Sequence, residues 1–267
     1  MPIVRCLLIA VVALCALVAV PVRADWSGGN QPVRFLVFGD SLAQGYAYGV
    51  RQAVQHRNDR FAGARVSDQV RIGIGLIPRR GLDPVAAIGQ ALATAHPPID
   101  AVIVSLGVND VGMPLGAVPF YGDQWQQAYR DRLTAFLTAA TAGDTQVVWI
   151  QVPAVRPTAF AGPLDATIRG LQDTVVDGYA DVVLAETVSL TQSGGEFQTH
   201  MITASGASQR LRAGDGIHFT GLGYVAVADR ALDALATLPV PAGREWQPPQ
   251  APVPPPLPIA RRTAPSN

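Results

Sequence analysis

Lysine is missing altogether: every one of the 20 basic side chains in the 267 residues is arginine. That excludes a phosphate-binding loop closed by Gly-Lys-Ser/Thr and any lysine Schiff base. Cysteine is nearly missing too. The two present, Cys6 and Cys15, fall in an apolar stretch at the N-terminus, and none follows residue 25. A chain processed there has no disulfide, no thiol nucleophile and no cysteine-ligated metal. An excess of one charge is also absent, with 20 bases against 20 acids and no basic run. Nucleic acid is therefore excluded as the main partner. No His-Glu-x-x-His or paired-His spacing occurs, so neither a metal nor another cofactor is implied. Gly73-x-Gly75 is not a dinucleotide fingerprint, because Pro78 stands at the third glycine position. What the chain does have is 49% hydrophobic and 15% charged residues, the balance of a folded protein. Its length suits one α/β domain.

The two ends differ from the middle. Residues 1–24 read as a secretory signal: Arg5 is followed by 15 apolar residues from Cys6 to Val20, Pro21 ends the run, and Val22-Arg23-Ala24 offers cleavage before Asp25. A membrane span needs roughly 20 residues, so an uncleaved anchor is the second reading. A periplasmic or secreted protein is expected. Residues 239–267 hold 10 of the 22 prolines, among them Pro254-Pro255-Pro256, and predict an extended tail. The folded domain is placed at 25–238.

Within that domain, 33–38 (VRFLVF) is a short apolar run that suits a buried strand, ended by Gly39-Asp40-Ser41. Similar strands are expected at 99–106, 146–152 and 181–184. Helical spacing of Trp125, Ala128, Tyr129, Leu133, Phe136 and Leu137 predicts a helix over 125–140. Thr220 is placed to cap a last helix, with Val225, Ala228, Leu232 and Leu235 along one face. Strands alternating with helices predict an α/β fold, with a mostly parallel sheet between two helical layers. Ligands of such sheets bind at the carboxyl ends of the strands. There stand Ser41, Asn109 and Gln151.

Ser41 follows a strand at an expected helix N-terminus, where its own N–H can face an anion. As a nucleophile it needs a base. His56 reads as solvated, His96 precedes Pro97-Pro98, and His200 lies in a polar stretch. His218 closes Asp215-Gly216-Ile217-His218 just before the last helix. An aspartate three residues before a histidine can accept the imidazole N–H and fix its tautomer.

Gly39-Asp40-Ser41-Leu42, Gly107-Val108-Asn109-Asp110 and Asp215-Gly216-Ile217-His218 together resemble three of the four blocks of the SGNH (GDSL-type) hydrolases, in order. The remaining block is one glycine in a loop. Gly81 is the best match for it, and Gly73 and Gly75 are the alternatives. Trp125-x3-Tyr129-x2-Arg132, Val148-Trp149-Ile150 with Pro153, and Leu211-Arg212 are similar to a bacterial envelope subgroup known as a domain of unknown function. The likeness covers about 33–236. It implies a flavodoxin-like three-layer fold, Ser41 as nucleophile, His218 as general base and then acid, and Asp215 as its orienting partner. It also implies an oxyanion hole made of the Ser41 N–H, the Gly81 N–H and the Asn109 amide. Each donor of such a hole is worth about 3 kcal/mol of barrier.

Other residues have blander readings. Asp40 reads as a turn residue, Asp110 as a helix cap, and Trp125, Tyr129 and Trp149 as core. Arg79-Arg80 reads as solvated surface, contact with an anionic substrate being the alternative. The expected function is cleavage of a small ester, an acyl group on a carbohydrate or envelope polymer, through an acyl-enzyme. Two further readings stand beside it. One is an O-acyltransferase working with a membrane acyltransferase as partner. The other is a non-catalytic envelope accessory protein.

Overall fold

The computed structural model describes residues 32–158, 165–202 and 206–240. The expected signal segment, with both cysteines, and residues 241–267 of the proline-rich tail lie outside them. Five strands form one sheet: β1 (Arg34–Gly39), β2 (Arg65–Val70), β3 (Ala101–Ser105), β4 (Gln146–Ile150) and β5 (Val182–Ala185). Their order is β2-β1-β3-β4-β5, and every pairing is parallel. The expected parallel sheet is thus observed.

The central strands are apolar without alternation because both faces are covered. Phe35, Val37, Val102, Ile103, Val104, Val147, Val148 and Trp149 are inaccessible to solvent or nearly so. Strand β2 has no counterpart in the sequence reading. As the edge strand RVSDQV it is mostly exposed, so it carries no apolar run to betray it.

Helix α1 (Ser41–His56) packs on α6 (Gly221–Ala236), while α2 (Pro84–Thr94) packs on α3 (Asp123–Ala140), and α3 on α4 (Asp165–Val176). Helix α6 starts as expected, with the Thr220 hydroxyl accepting the Gly223 N–H at 3.2 Å. Its buried face holds Val227, Ala228, Leu232 and Leu235, with Val225 only half-buried. Trp125, Tyr129 and Trp149 are core residues, fully buried as read. A short helix α5 (Val188–Thr191) and two small hairpins, β6 (Gln192–Ser193) with β7 (Glu196–Phe197) and β8 (His200–Ile202) with β9 (Ser208–Arg210), lie between β5 and the last helix.

The strand order places the site. The chain leaves β1 toward one edge of the sheet and returns to lay β3 on the other side of β1. A crevice therefore opens between the carboxyl ends of β1 and β3. The Gly39-Asp40-Ser41 turn and the 3-10 turn Val108–Asp110 leave the sheet there.

Candidate active site

Two strand ends meet in the crevice with almost no clearance. A side chain on Gly39 would put its Cβ 2.0 Å from the Ser105 carbonyl, and φ there is +150°, so only glycine fits. The close approach lets the Asp40 N–H donate to that carbonyl at 3.3 Å. Asp40 then caps α1, its Oδ1 accepting the Leu42 N–H at 2.9 Å. Ser41 is the first helical residue, and its N–H has no acceptor among the described residues. That N–H and the positive end of the helix dipole face the crevice together.

The last loop brings the base to the serine. His218 Nε2 is 2.8 Å from Ser41 Oγ, and His218 Nδ1 is 2.7 Å from Asp215 Oδ2. With Nδ1–H donating to Asp215, Nε2 is left to accept the Ser41 hydroxyl proton. The other oxygen of Asp215 accepts the backbone N–H groups of Ile217 (2.9 Å) and His218 (3.0 Å). Partial burial pushes this carboxyl up, but the His218 hydrogen bond and the two backbone donors outweigh it and hold Asp215 down at about 2. Ser41, His218 and Asp215 are therefore a continuous relay across the loop and α1. His56, His96 and His200 are exposed and take no part.

Arg212 fastens the relay from beneath. This fully buried guanidinium donates to the carbonyls of Gly216 (3.2 Å) and Ile217 (2.8 Å). The sequence likeness included it but gave it no task.

Asn109 sits beside Ser41 at the end of β3. Its Nδ2 donates to Asp40 Oδ2 and to the Ile74 carbonyl, both at 2.9 Å. The amide expected to stand free for an oxyanion is thus engaged in the resting protein. Asp110 differs from its reading as a helix cap. Its carboxylate reaches sideways and accepts the Leu76 N–H (2.7 Å), the Ile77 N–H (3.2 Å) and the Tyr129 hydroxyl (3.0 Å). Arg132, one turn further along α3, adds a bond to the Leu76 carbonyl at 3.2 Å. Tyr129, through Asp110, and Arg132 therefore clamp the loop after β2 against the site, while Trp125 stacks on Tyr129 and donates to the Met113 carbonyl at 2.8 Å. Burial pushes the Asp40 carboxyl up to about 7 and that of Asp110 up to about 6, against the hydrogen bonds each accepts.

Gly81 does not stand with these groups. It is exposed, in a tight turn where Arg79 and Leu82 exchange backbone hydrogen bonds of 3.1 and 3.0 Å, and nothing lies within 4 Å of where its Cβ would be. Gly75, one of the alternatives, is buried between the Ile74 carbonyl bound by Asn109 and the Leu76 N–H bound by Asp110. A Cβ on Gly75 would fall 1.9 Å from Asp110 Oδ1. The glycine that meets the site is Gly75. Gln151, the third polar strand end, is buried and structural: its amide donates to Asp173 at 2.6 Å and its carbonyl accepts the Thr187 N–H at 3.4 Å. Among the described residues no group of three histidine, cysteine, aspartate or glutamate side chains is arranged to hold a metal.

Residues 34–234 match the family described as "Protein of unknown function (DUF459)". No curated protein matches the chain. Several solved structures share its fold. Est24, a carbohydrate acetylesterase from Sinorhizobium meliloti, superposes with a TM-score of 0.52 at 18% identity, over 76% of this chain and 98% of that one. The acetyl xylan esterase AlAXEase superposes with a TM-score of 0.53 at 16% identity, over 76% and 100%. A member of the lipolytic protein G-D-S-L family from Veillonella parvula gives 0.51 at 17%, over 77% and 100%.

Proposed function

The chain belongs to the DUF459 family, built on the fold of the SGNH hydrolases, and from this and its Ser-His-Asp relay we propose that it is an exported serine hydrolase of acyl esters on carbohydrate. The observation that carries the reading is the 2.8 Å contact of Ser41 Oγ with His218 Nε2, in line with the 2.7 Å contact of Nδ1 with Asp215.

The chemistry follows from that line. His218 Nε2 takes the Ser41 proton as Oγ forms a bond to the ester carbonyl carbon, and the carbonyl oxygen becomes an oxyanion. The Ser41 and Gly75 N–H groups, neither with an acceptor among the described residues, are its backbone donors. Asn109 joins them by exchanging the Ile74 carbonyl for the oxyanion. The carbon–oxygen bond to the alcohol then breaks, and the alcohol leaves with the proton from His218. Water repeats the sequence on the acyl-enzyme: His218 takes its proton, and Ser41 leaves with that proton while the free acid departs. Asp215 stays ionised and steadies the imidazolium each time.

The carbohydrate part rests on two supports. The histidine and aspartate side chains are 35% and 47% exposed, so the relay opens at a shallow rim that admits a polymer. Two structures with this fold are described as a carbohydrate acetylesterase and an acetyl xylan esterase. Export rests on the leader-like residues 1–24 alone.

A p-nitrophenyl ester series from acetate to octanoate tests the reading, with Ser41→Ala as control. Hydrolysis abolished in the variant is the expected result, and the chain-length profile sizes the acyl pocket. Silence on every ester and on acetylated xylan, from a folded protein, rejects hydrolysis.

A further inference from the structure

Four arginines at the catalytic edge of the sheet form no salt bridge with a carboxylate among the described residues. Arg71 directly follows β2, and its backbone N–H donates to the Gly39 carbonyl at 2.9 Å, two residues before the nucleophile. Arg79 and Arg80 lie in the tight turn beyond. Arg79 extends an Nη2 bond to the Asn109 carbonyl, while its buried Nε has no partner. On the opposite side Arg156 is bound to the loop that carries Asp215 and His218. Its backbone N–H donates to the Gly216 carbonyl and its Nη1 to the Gly214 carbonyl, both at 2.9 Å.

Of the arginines elsewhere, Arg60, Arg210 and Arg212 donate to backbone carbonyls. Arg51, Arg57, Arg132, Arg169 and Arg230 each pair with an aspartate or glutamate. None of the four at the catalytic edge pairs with a described carboxylate, in a protein whose 20 bases equal its 20 acids. Asp110, the acid whose field Arg79 modulates, is buried and already accepts three hydrogen bonds. A guanidinium has five N–H donors in a fork that fits a carboxylate or phosphate. Arg79 and Arg156 each spend one of theirs on a backbone carbonyl, and both remain partly exposed.

We infer that the alcohol portion recognised at this site is an anionic saccharide, whose carboxylate or phosphate groups are bound by Arg79 and Arg156 on the two loops that meet at Ser41. The inference rests on the hydrolase reading and narrows its substrate.

Equilibrium binding to the full chain carrying Ser41→Ala tests it without turnover. The probes are oligogalacturonate, a phosphorylated oligomannoside and a neutral xylo-oligosaccharide of equal length. At low salt an anionic probe should bind at least about tenfold tighter than the neutral one, because its charge-assisted bonds have no neutral equivalent. The gap should close as salt is raised. Adding Arg79→Gln and Arg156→Gln should abolish it, and lysine at both positions should restore part of it. The tighter anionic arm identifies carboxylate or phosphate as the source. Equal affinity for neutral and anionic probes overturns the inference, as does a gap that survives loss of both arginines. If the glutamine variants do not fold, the salt dependence of the gap in Ser41→Ala alone decides. Ester hydrolysis with no gap sinks only this inference. A gap in a chain that cleaves no ester sinks the hydrolase reading and leaves the anionic recognition standing.

Discussion

The guanidinium of Arg212 lies 4.1 Å from the centre of the Phe219 ring and donates from the same position to the carbonyl of Ile217, the residue between Gly216 and His218. A cation stacked on an aromatic face and fully withdrawn from water is costly to bury. Burial pushes Arg212 down to about 10, which still leaves it charged at neutral pH. Its return is rigidity in the loop that sets the imidazole against Ser41. Replacing Arg212 by methionine should lower stability by about 2 kcal/mol, as two carbonyls lose a charged donor. It should also lower kcat more than it raises KM, because the loss falls on the geometry of proton transfer and not on substrate binding. Arg212→Lys should recover part of kcat. Steady-state kinetics beside thermal unfolding measures both effects. A stability loss with unchanged kcat would leave Arg212 no positioning role.

Asp215→Asn should leave the fold intact and reduce kcat by roughly 10²–10⁴, since an amide cannot hold the imidazole in the required tautomer. The native carboxyl is held at about 2, below its ordinary 3.8. The stability this lends is therefore present above pH 4 and is lost as pH falls through 2. Asp215 is consequently not the group whose protonation stops the enzyme at mildly acidic pH. An activity loss centred between pH 3 and 4 in the wild type, shifted by Asp215→Asn, would contradict this.

Asp40 and Asp110 work in the opposite direction. Their carboxyls are raised from 3.8 to about 7 and about 6 by burial, so between those values and 3.8 the folded chain holds protons that the unfolded chain has released. Stability from this source is complete below pH 4 and is lost as pH rises through 6 and 7. Asp40→Asn removes one of the two titrations. The melting temperature of the variant relative to wild type should thus improve from pH 5 to about pH 7 and then level off, whatever the offset at pH 5. Parallel melting curves across that range would show that Asp40 does not titrate there.

The relay itself was legible because its members sit in short, ordered blocks. Ser41 ends an apolar run, and Asp215 and His218 share one turn of chain. The central strands were legible because burial on both faces leaves their interiors apolar, polar residues such as Ser105 and Gln146 standing only at their ends. Strand β2 was not, because an edge strand facing water keeps the polar sequence of a loop. The clamp made by Tyr129, Asp110 and Leu76 was not legible either, since it joins three elements whose distance in sequence says nothing of their distance in space. The Asn109 amide was recognised by type, but its engagement with Asp40 and Ile74 depends on backbone placement. The choice among the glycines was not legible for a related reason. Gly73, Gly75 and Gly81 occupy one loop and differ only in what the fold brings against each.

That difference separates the glycines experimentally. Gly75→Ala drives a Cβ into Asp110 Oδ1 at 1.9 Å, and Asp110 is fixed by Leu76, Ile77 and Tyr129, so the backbone must yield. The segment that yields carries the carbonyl bound by Asn109 and an N–H assigned to the oxyanion. Loss of one well-placed oxyanion donor costs about 10²-fold in kcat, and Gly75→Ala should lose at least that. Gly81→Ala meets no atom within 4 Å, but its φ of +72° strains any side chain. The cost there is about 1 kcal/mol of stability, with kcat changed by no more than about threefold, because the turn bears on the site only through Arg79. Ester kinetics and thermal unfolding of the two single variants decide the matter. A collapse of kcat in Gly81→Ala with normal turnover in Gly75→Ala would return the oxyanion role to Gly81.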